Sequence, residues 1–395
     1  MLIGSQELIH DINSKLVLTH IINDGPISRA TLAKKLGLTK ATISTIVQEL
    51  IDKHLVIESG SDNTSRGRKP ILLTFNPYCG YVITIDLEEE YLTLMTCHLT
   101  GEDFRTNHYP NSKPANEIVD YLTLLIKQTL DSLPNTPYGV VGICLGIHGV
   151  VNNNEIIFTP YSPYTEVDFV TLLEAHFSIP VYLENEANLS IIGEKTFYYN
   201  YANMIGISIH SGIGLGLIIN HELFSGYNGN AGEFGHTIVE LNGRPCPCGN
   251  LGCFEQYASE RALLLQFAKK KNLSKATLEM LIDAYAHQDA DAILLIEEFI
   301  KYMAIGINNI LNIFNPEVIV INSALVNELP DIIVQINPLL KNRMRNFCQL
   351  LPSGLRNTSI LFGGLCVCTQ NFLGLKYLSL KLSHLKNLPI DKSGI

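Results

Sequence analysis

In "GHTIVELNGRPCPCGNLGCFEQ", residues 235–256, three cysteines fall within eight positions, and a histidine stands ten residues ahead of the first. His236, Cys246, Cys248 and Cys253 make a His-x9-Cys-x-Cys-x4-Cys set. Three thiolates and one imidazole are the donors of a closed tetrahedral site. The expected cofactor is therefore structural Zn2+, with no open position for catalysis. Gly249 and Gly252 permit the sharp turns that let closely spaced sulfurs converge. A metal clamp here would also fix Glu233 and Glu255, while "ENEAN" supplies Glu184, Asn185, Glu186 and Asn188 from another segment. Carboxylates beside an amide suit the hydroxyls of a sugar, provided the fold brings the segments together.

The chain that must do so has 395 residues, 46% hydrophobic and 17% charged, without low-complexity blocks. That length suggests two or three domains of ~150 residues. "MLIGSQELIHDINSKLVL" has no basic n-region followed by a compact apolar core, and no apolar run approaches the ~20 residues of a membrane span. A cytoplasmic protein with no membrane partner is expected. Its nine cysteines would then be thiols or metal ligands rather than a disulfide framework. The net charge is −10, but residues 1–75 hold nine basic and seven acidic side chains, so the head is +2 and the remainder −12. A mildly basic head on an acidic body fits a small DNA-binding module attached to something larger.

Within that head, Leu8, Ile9, Ile12, Leu16 and Ile21 recur at near-helical spacing. Ser28 is placed to cap a helix ending near Leu36. Gly37 turns the chain, and Thr39 caps a second helix with Ile43, Ile46, Val47 and Leu50 on one face. Two short helices joined at a glycine turn make a helix-turn-helix. Its recognition end would present Lys40, Ala41, Thr42 and Thr45, with Ser28, Arg29 and Thr39 among the DNA-contacting set. "LVIE" and "ILLTF" form a wing whose tip carries Arg66, Arg68 and Lys69 for backbone or minor-groove contacts.

From "NPYCGYVITIDLEEEYLTLMTCHL" onward, strand hairpins are followed by helices, and "MIGISIHSGIGLGLIIN" restarts the pattern. Two related α/β lobes are expected. "YMAIGINNILNIFNPEVIVINSAL" reads as helix, turn and strand, and the stretch from Lys376 as weakly structured.

At "GRKPILLTFNP", "ENEAN", "GIGLGLIIN", "AGEFGH" and "CPCGNLGCFEQYAS" the chain resembles the ROK family of repressors, open reading frames and sugar kinases, and within it the xylose-repressor branch. The resemblance spans about residues 5–375. It implies an N-terminal winged helix-turn-helix (1–76) followed by a two-lobed, actin-like, ribonuclease-H-like α/β body. The lobes would cover 77–195 and 196–364, with a helix near 365–380 packing back on the first. It also implies metal binding at His236, Cys246, Cys248 and Cys253, and sugar contacts at Asn185, Glu186, Glu233, His236 and Glu255. The partners it implies are operator DNA, a sugar effector (xylose, another monosaccharide or a phosphosugar) and further copies of the chain in a homodimer or homotetramer.

The family holds both kinases and repressors. Its kinases carry Asp-x-Gly-Gly-Thr where ATP phosphates lie, whereas this chain has Asp86-Leu87-Glu88-Glu89-Glu90. Three carboxylates there would repel phosphate. The second phosphate loop keeps Gly212, Gly214 and Gly216 but has His210 and Leu215, and a Gly-Gly beside adenosine becomes Asn322-Ser323. Glu186 stands where the kinases have a catalytic Asp, and the longer side chain displaces the carboxylate. The expectation is a sugar-responsive repressor that is not an enzyme. The alternatives are an ATP-dependent sugar kinase or a DNA-binding regulator sensing a protein. His148-Gly149 replaces the usual Pro-Gly, Tyr161 an Asn beside the sugar, and Pro163-Tyr164 an Asn-Trp pair.

Overall fold

A computed structural model describes residues 6–61, 71–341 and 343–380. The N-terminal module runs α1 (Gln6–Asp24), β1 (Ile27–Ser28), α2 (Arg29–Leu36), α3 (Lys40–Asp52), β2 (Val56–Ser61) and β3 (Ile71–Phe75). Its boundaries follow from local chemistry. The Ser28 hydroxyl accepts from the Thr31 N–H, the Thr39 hydroxyl from the Thr42 N–H, and Gly37 closes α2 in the left-handed region. Ile43, Ile46, Val47 and Leu50 bury one face of α3, and β1, β3 and β2 pair antiparallel beneath it.

The first lobe contains β4 (Tyr81–Leu87), β5 (Tyr91–His98), β6 (Arg105–Pro110), α4 (Ile118–Ser132), β7 (Val140–Ile147), β8 (Val150–Asn152), β9 (Glu155–Phe158), α5 (Phe169–Phe177), β10 (Val181–Asn185) and α6 (Glu186–Phe197). The sheet order is β10-β7-β4-β5-β6, parallel through β10, β7 and β4 and antiparallel beyond. Ile83 and Ile85 face α4 and α5. The alternate side of β4 meets the helix Ser359–Leu373, where a Cβ on Gly364 would touch Thr84.

The second lobe contains β11 (Met204–Ile209), β12 (Ile213–Ile219), β13 (Glu222–Leu223), α7 (Glu255–Ala258), α8 (Glu260–Lys271), α9 (Leu278–Ala286), α10 (Ala290–Phe314), β14 (Val318–Ser323), α11 (Ala324–Glu328), α12 (Asp331–Ile336) and β15 (Gln349–Pro352), after which the chain returns to the first lobe as α13 (Ser359–Leu373). Its sheet order is β13-β12-β11-β14-β15. One face packs under α8 and α10, and the other receives Ile191 of α6.

The helix expected near 365–380 starts at Ser359, inside the stretch assigned to the second lobe, and ends where Gly374 turns left-handed. It lies on the first sheet, α6 lies on the second, and the two helices lock together. A Cβ on Gly363 would fall 1.9 Å from the Leu189 carbonyl oxygen, and one on Gly193 2.6 Å from that of Ser359. Of the end from Lys376 expected to be weakly structured, 381–395 lie outside the described residues. Residues 377–380 have no regular secondary structure, yet Leu378 and Leu380 are buried in the cluster that holds α1. Among the described residues no helix is long and apolar enough to cross a membrane.

Candidate functional site

The cysteine loop converges. The donor atoms of His236, Cys246, Cys248 and Cys253 all lie within 4.8 Å of one another. His236 Nδ1 is 3.5 Å from the Cys246 sulfur, and the Cys248 and Cys253 sulfurs are 3.6 Å apart. Tetrahedral ligation with Zn–S of ~2.3 Å and Zn–N of ~2.0 Å sets sulfurs about 3.8 Å apart and sulfur from nitrogen about 3.5 Å. A disulfide needs ~2.05 Å. The donor set therefore fits a tetrahedral metal ion. The loop's shape depends on Gly252, which has φ +82° and lies so close to the Glu240 carbonyl that any Cβ would collide with it. His236 offers Nδ1 to the sulfurs, while its Nε2 lies 3.6 Å from Glu233.

Beside the cluster, Glu255 Oε1 accepts from Cys246 Sγ (3.1 Å), Gln256 Nε2 (3.0 Å) and the Tyr161 hydroxyl (3.0 Å). Tyr161 belongs to the first lobe, so this bond crosses the cleft, and the Arg261 guanidinium covers its ring at 4.4 Å. Asn185 caps α6: Oδ1 accepts from the Ala187 and Asn188 N–H groups, and Nδ2 donates to the Gly149 carbonyl and to Glu186 Oε2 (2.7 Å). Glu186 is thereby oriented at the head of α6, and burial pushes its carboxyl up to about 7. Burial also raises Glu233. Glu186, Glu233, His236 and Glu255 thus line one region, with Asn185 behind Glu186.

The acidic triplet behaves differently from the sequence expectation. Glu89 and Glu90 are exposed, and Glu90 pairs with Lys275 of the second lobe at 2.6 Å. Glu88 is half-buried, and burial and then Asp86 push its carboxyl up to about 8. Beside Asp86 stands a pair of histidines. His148 Nε2 lies 2.8 Å from Asp86 Oδ1; burial alone would lower this imidazole, but Asp86 raises it to about 10. Its ring meets that of His210 edge-on at 5.7 Å, and burial with this cationic neighbour lowers His210 to about 4.

The retained hairpin glycines have a packing reason. A Cβ on Gly214 would sit 3.0 Å from the Ala187 Cβ, and one on Gly216 2.3 Å from the Ala187 carbonyl oxygen, because α6 presses on β12. Asn322 donates to Ser190 and Ser359 hydroxyls. Glu260 accepts from the Ser323 hydroxyl and the Leu325 N–H, so an internal carboxylate already uses those donors. Glu260 and Arg261 were missed in the sequence reading. Both follow "EQYAS" as ordinary helix-start charges, and their partners lie far off in the chain.

On the winged module Lys40, Ala41 and Thr45 are exposed on α3, and Ser44 shares that face. Thr42 is half-buried, its N–H bonded to Thr39. The Ser28 hydroxyl is buried in its cap, and Arg29 is paired with Glu58 at 2.9 Å. Ser28 and Thr39 thus serve helix starts, and Arg29 must leave its partner to reach phosphate. Arg66, Arg68 and Lys69 lie outside the described residues.

Comparison with known proteins follows the same division. A model of the ROK family matches residues 82–371, and one of the MarR family matches 12–67. The chain is 36% identical over 379 residues to the xylose repressor of Bacillus spizizenii, covering 94% of this chain and 98% of that one. Among solved structures it is similar to a ROK-family transcriptional regulator, a homologue of the Escherichia coli MLC protein. There the TM-score is 0.77 at 26% identity, over 92% and 97% of the two chains. The body shares its fold with a ROK glucokinase from Streptomyces griseus, solved with glucose and AMPPNP. That match has a TM-score of 0.67 at 23% identity, over 74% of this chain and 100% of that one.

Proposed function

The chain belongs to the ROK family, and from that premise we propose that it is a sugar-responsive, DNA-binding transcriptional repressor of carbohydrate-utilisation genes. One juxtaposition carries the reading. A recognition helix with an exposed polar face shares a chain with a cleft that keeps hydroxyl-binding carboxylates but carries the Asp86–His148 pair and His210 beside a glutamate-bearing loop in place of the glycines of the family's kinases. Phosphoryl transfer needs backbone N–H groups and metal arrayed around the γ-phosphate. Here the corresponding loop bears glutamates, and the Ser323–Leu325 donors serve Glu260. These features support a regulator over a kinase.

Glu186, Glu233, His236 and Glu255 bind the effector, with Asn185 holding Glu186 in place. D-xylose is the first sugar to test, because the relatives at about a third identity are named xylose repressors. His236, Cys246, Cys248 and Cys253 hold structural zinc. When bound, the metal fixes the loop and sets His236 with Nδ1 as ligand and Nε2 turned to Glu233. A homodimer places two α3 helices on half-sites about one helical turn, or a multiple of it, apart.

The test is titration of DNA from upstream of the chain's own gene cluster, with and without a panel of pentoses, hexoses and their phosphates. Operator affinity that no sugar alters would sink the effector model. In parallel, a sugar at 100 times its dissociation constant raises stability by ~2.7 kcal/mol. Chelation of the metal, or Cys253→Ser, is expected to abolish that shift, measured as Tm with and without sugar.

A further inference from the structure

We propose that Asp86, Glu88 and His148 hold a divalent first-row transition-metal ion in the cleft, at a site separate from the cysteine cluster. One donor atom from each of the three lies within 4.8 Å of the others, the same spacing that marks the cysteine set. The sheet produces this convergence. β4 and β7 run parallel, with Asp86 paired to Gly146 and Leu87 to Ile147, so Glu88 and His148 leave the two strand ends side by side. Asp86 is buried, whereas Glu88 and His148 are half-buried, which leaves an ion a way in.

A second observation points to a cation. His210, just past β11 in the second lobe, has a buried Nε2 with no hydrogen-bond partner among the described residues. Native proteins rarely leave a buried polar nitrogen unpaired without a use for it. Its ring lies edge-on to that of His148, with the centres 5.7 Å apart. Two imidazoles bound to one ion at ~2.1 Å have ring centres roughly 4.5–6.4 Å apart, since each centre lies about 1.1 Å behind its nitrogen. His210 is thus within reach of the ion that His148 holds, directly or through a bound water. The charge balance agrees. Glu260 acts on Glu88, and Glu186 on His148, so four carboxyl groups surround two imidazoles. The Asp86–His148 hydrogen bond of 2.8 Å keeps a proton in their midst, and a metal ion displaces it. Carboxylate and imidazole without thiolate suit Mn2+, Fe2+ or Zn2+ rather than a soft ion. Such an ion is held by side chains. The Mg2+ of a kinase instead keeps several waters and bridges nucleotide phosphates. Because His148 and His210 belong to different lobes, the ion also ties the lobes together beside Glu186.

The experiment is a Mn2+ titration of the full-length protein, first given one equivalent of Zn2+ to occupy the cysteine cluster, with free Mn2+ read by electron paramagnetic resonance. Zn2+ outcompetes Mn2+ at thiolates, so the two sites report separately. One Mn2+ per chain should bind, and its pulsed spectra should show nitrogen coupling from an imidazole ligand. Asp86→Asn and His148→Gln should each weaken uptake by about a hundredfold or more, and His210→Gln by about tenfold. Melting curves without Mn2+ identify any variant that fails to fold. If Asp86→Asn does, Glu88→Gln, at a half-buried position, carries the same expectation. No saturable Mn2+ uptake up to about 1 mM overturns the site. So does a bound Mn2+ without nitrogen coupling, or one whose affinity survives the Asp86, Glu88 and His148 variants. Affinity unchanged by His210→Gln alone overturns the tie between the lobes. Operator and sugar titrations play no part, so each of these outcomes is independent of the repressor reading.

Discussion

Glu186 is a buried carboxylate kept at a cost in stability. It is 8% exposed at the head of α6, accepts from Asn185 Nδ2, and its carboxyl is raised from 4.5 to about 7. A folded pKa above the unfolded one means the native state holds its proton more tightly. The relative stabilisation is complete below about pH 4.5 and lost as pH rises through 7. Glutamine removes the titration and keeps the shape. Glu186→Gln should therefore gain stability relative to wild type by about 1–3 kcal/mol between pH 5 and pH 8, read from urea melts at the two pH values. Effector binding should weaken in the same variant. Glu88 and Glu194, also raised, titrate in both proteins and cancel from the difference. A constant difference across that range would show that Glu186 is solvated.

At the scale of elements, the central pair of helices is the most exacting piece of packing. A Cβ on Gly363 would overlap the Leu189 carbonyl oxygen, so α6 and α13 must separate to admit it. Gly363→Ala gains helix propensity of ~1 kcal/mol but forces apart two backbones, an overpacking cost of about 1–3 kcal/mol or more. A net loss of denaturation midpoint is expected, with a weakened sugar response, whereas Gly37→Ala should lose only its left-handed turn. The sequence disclosed those elements whose signals are local. Ser28, Gly37 and Thr39 mark both helices of the DNA-reading pair, because capping involves residues two or three apart. Strand β6 escaped notice because "RTNHYP" is an exposed edge without alternation. The cysteine set was legible from spacing alone. The raised carboxyl of Glu88 and outward turn of Glu90 were not, since they depend on burial beside Asp86 and on Lys275, 185 residues away.

For the whole molecule, charge is divided by task. The first 75 residues are +2 and the rest −12, so DNA is attracted at one end and repelled elsewhere. This division makes operator binding steeply dependent on salt, because each phosphate neutralised by a lysine or arginine releases condensed counterion with a slope of about −0.9. Lys40 is exposed at the start of α3 with no ion-pair partner among the described residues, so it is free to reach phosphate. Lys40→Ala should lower operator affinity uniformly across site variants. It should also reduce the slope of log affinity against log salt by about 1 per module, hence about 2 for a dimer. Thr45→Ala, one helical turn further on, should instead relax preference at one base pair by about 1–3 kcal/mol and leave the salt slope unchanged. Anisotropy titrations between about 50 and 200 mM salt separate the two outcomes. A Lys40 variant with an unaltered slope would mean that α3 does not lie along the groove, and that the wing or the body holds the DNA. A binding surface built on the acidic body would have to overcome its own repulsion at low salt, where the winged module binds best.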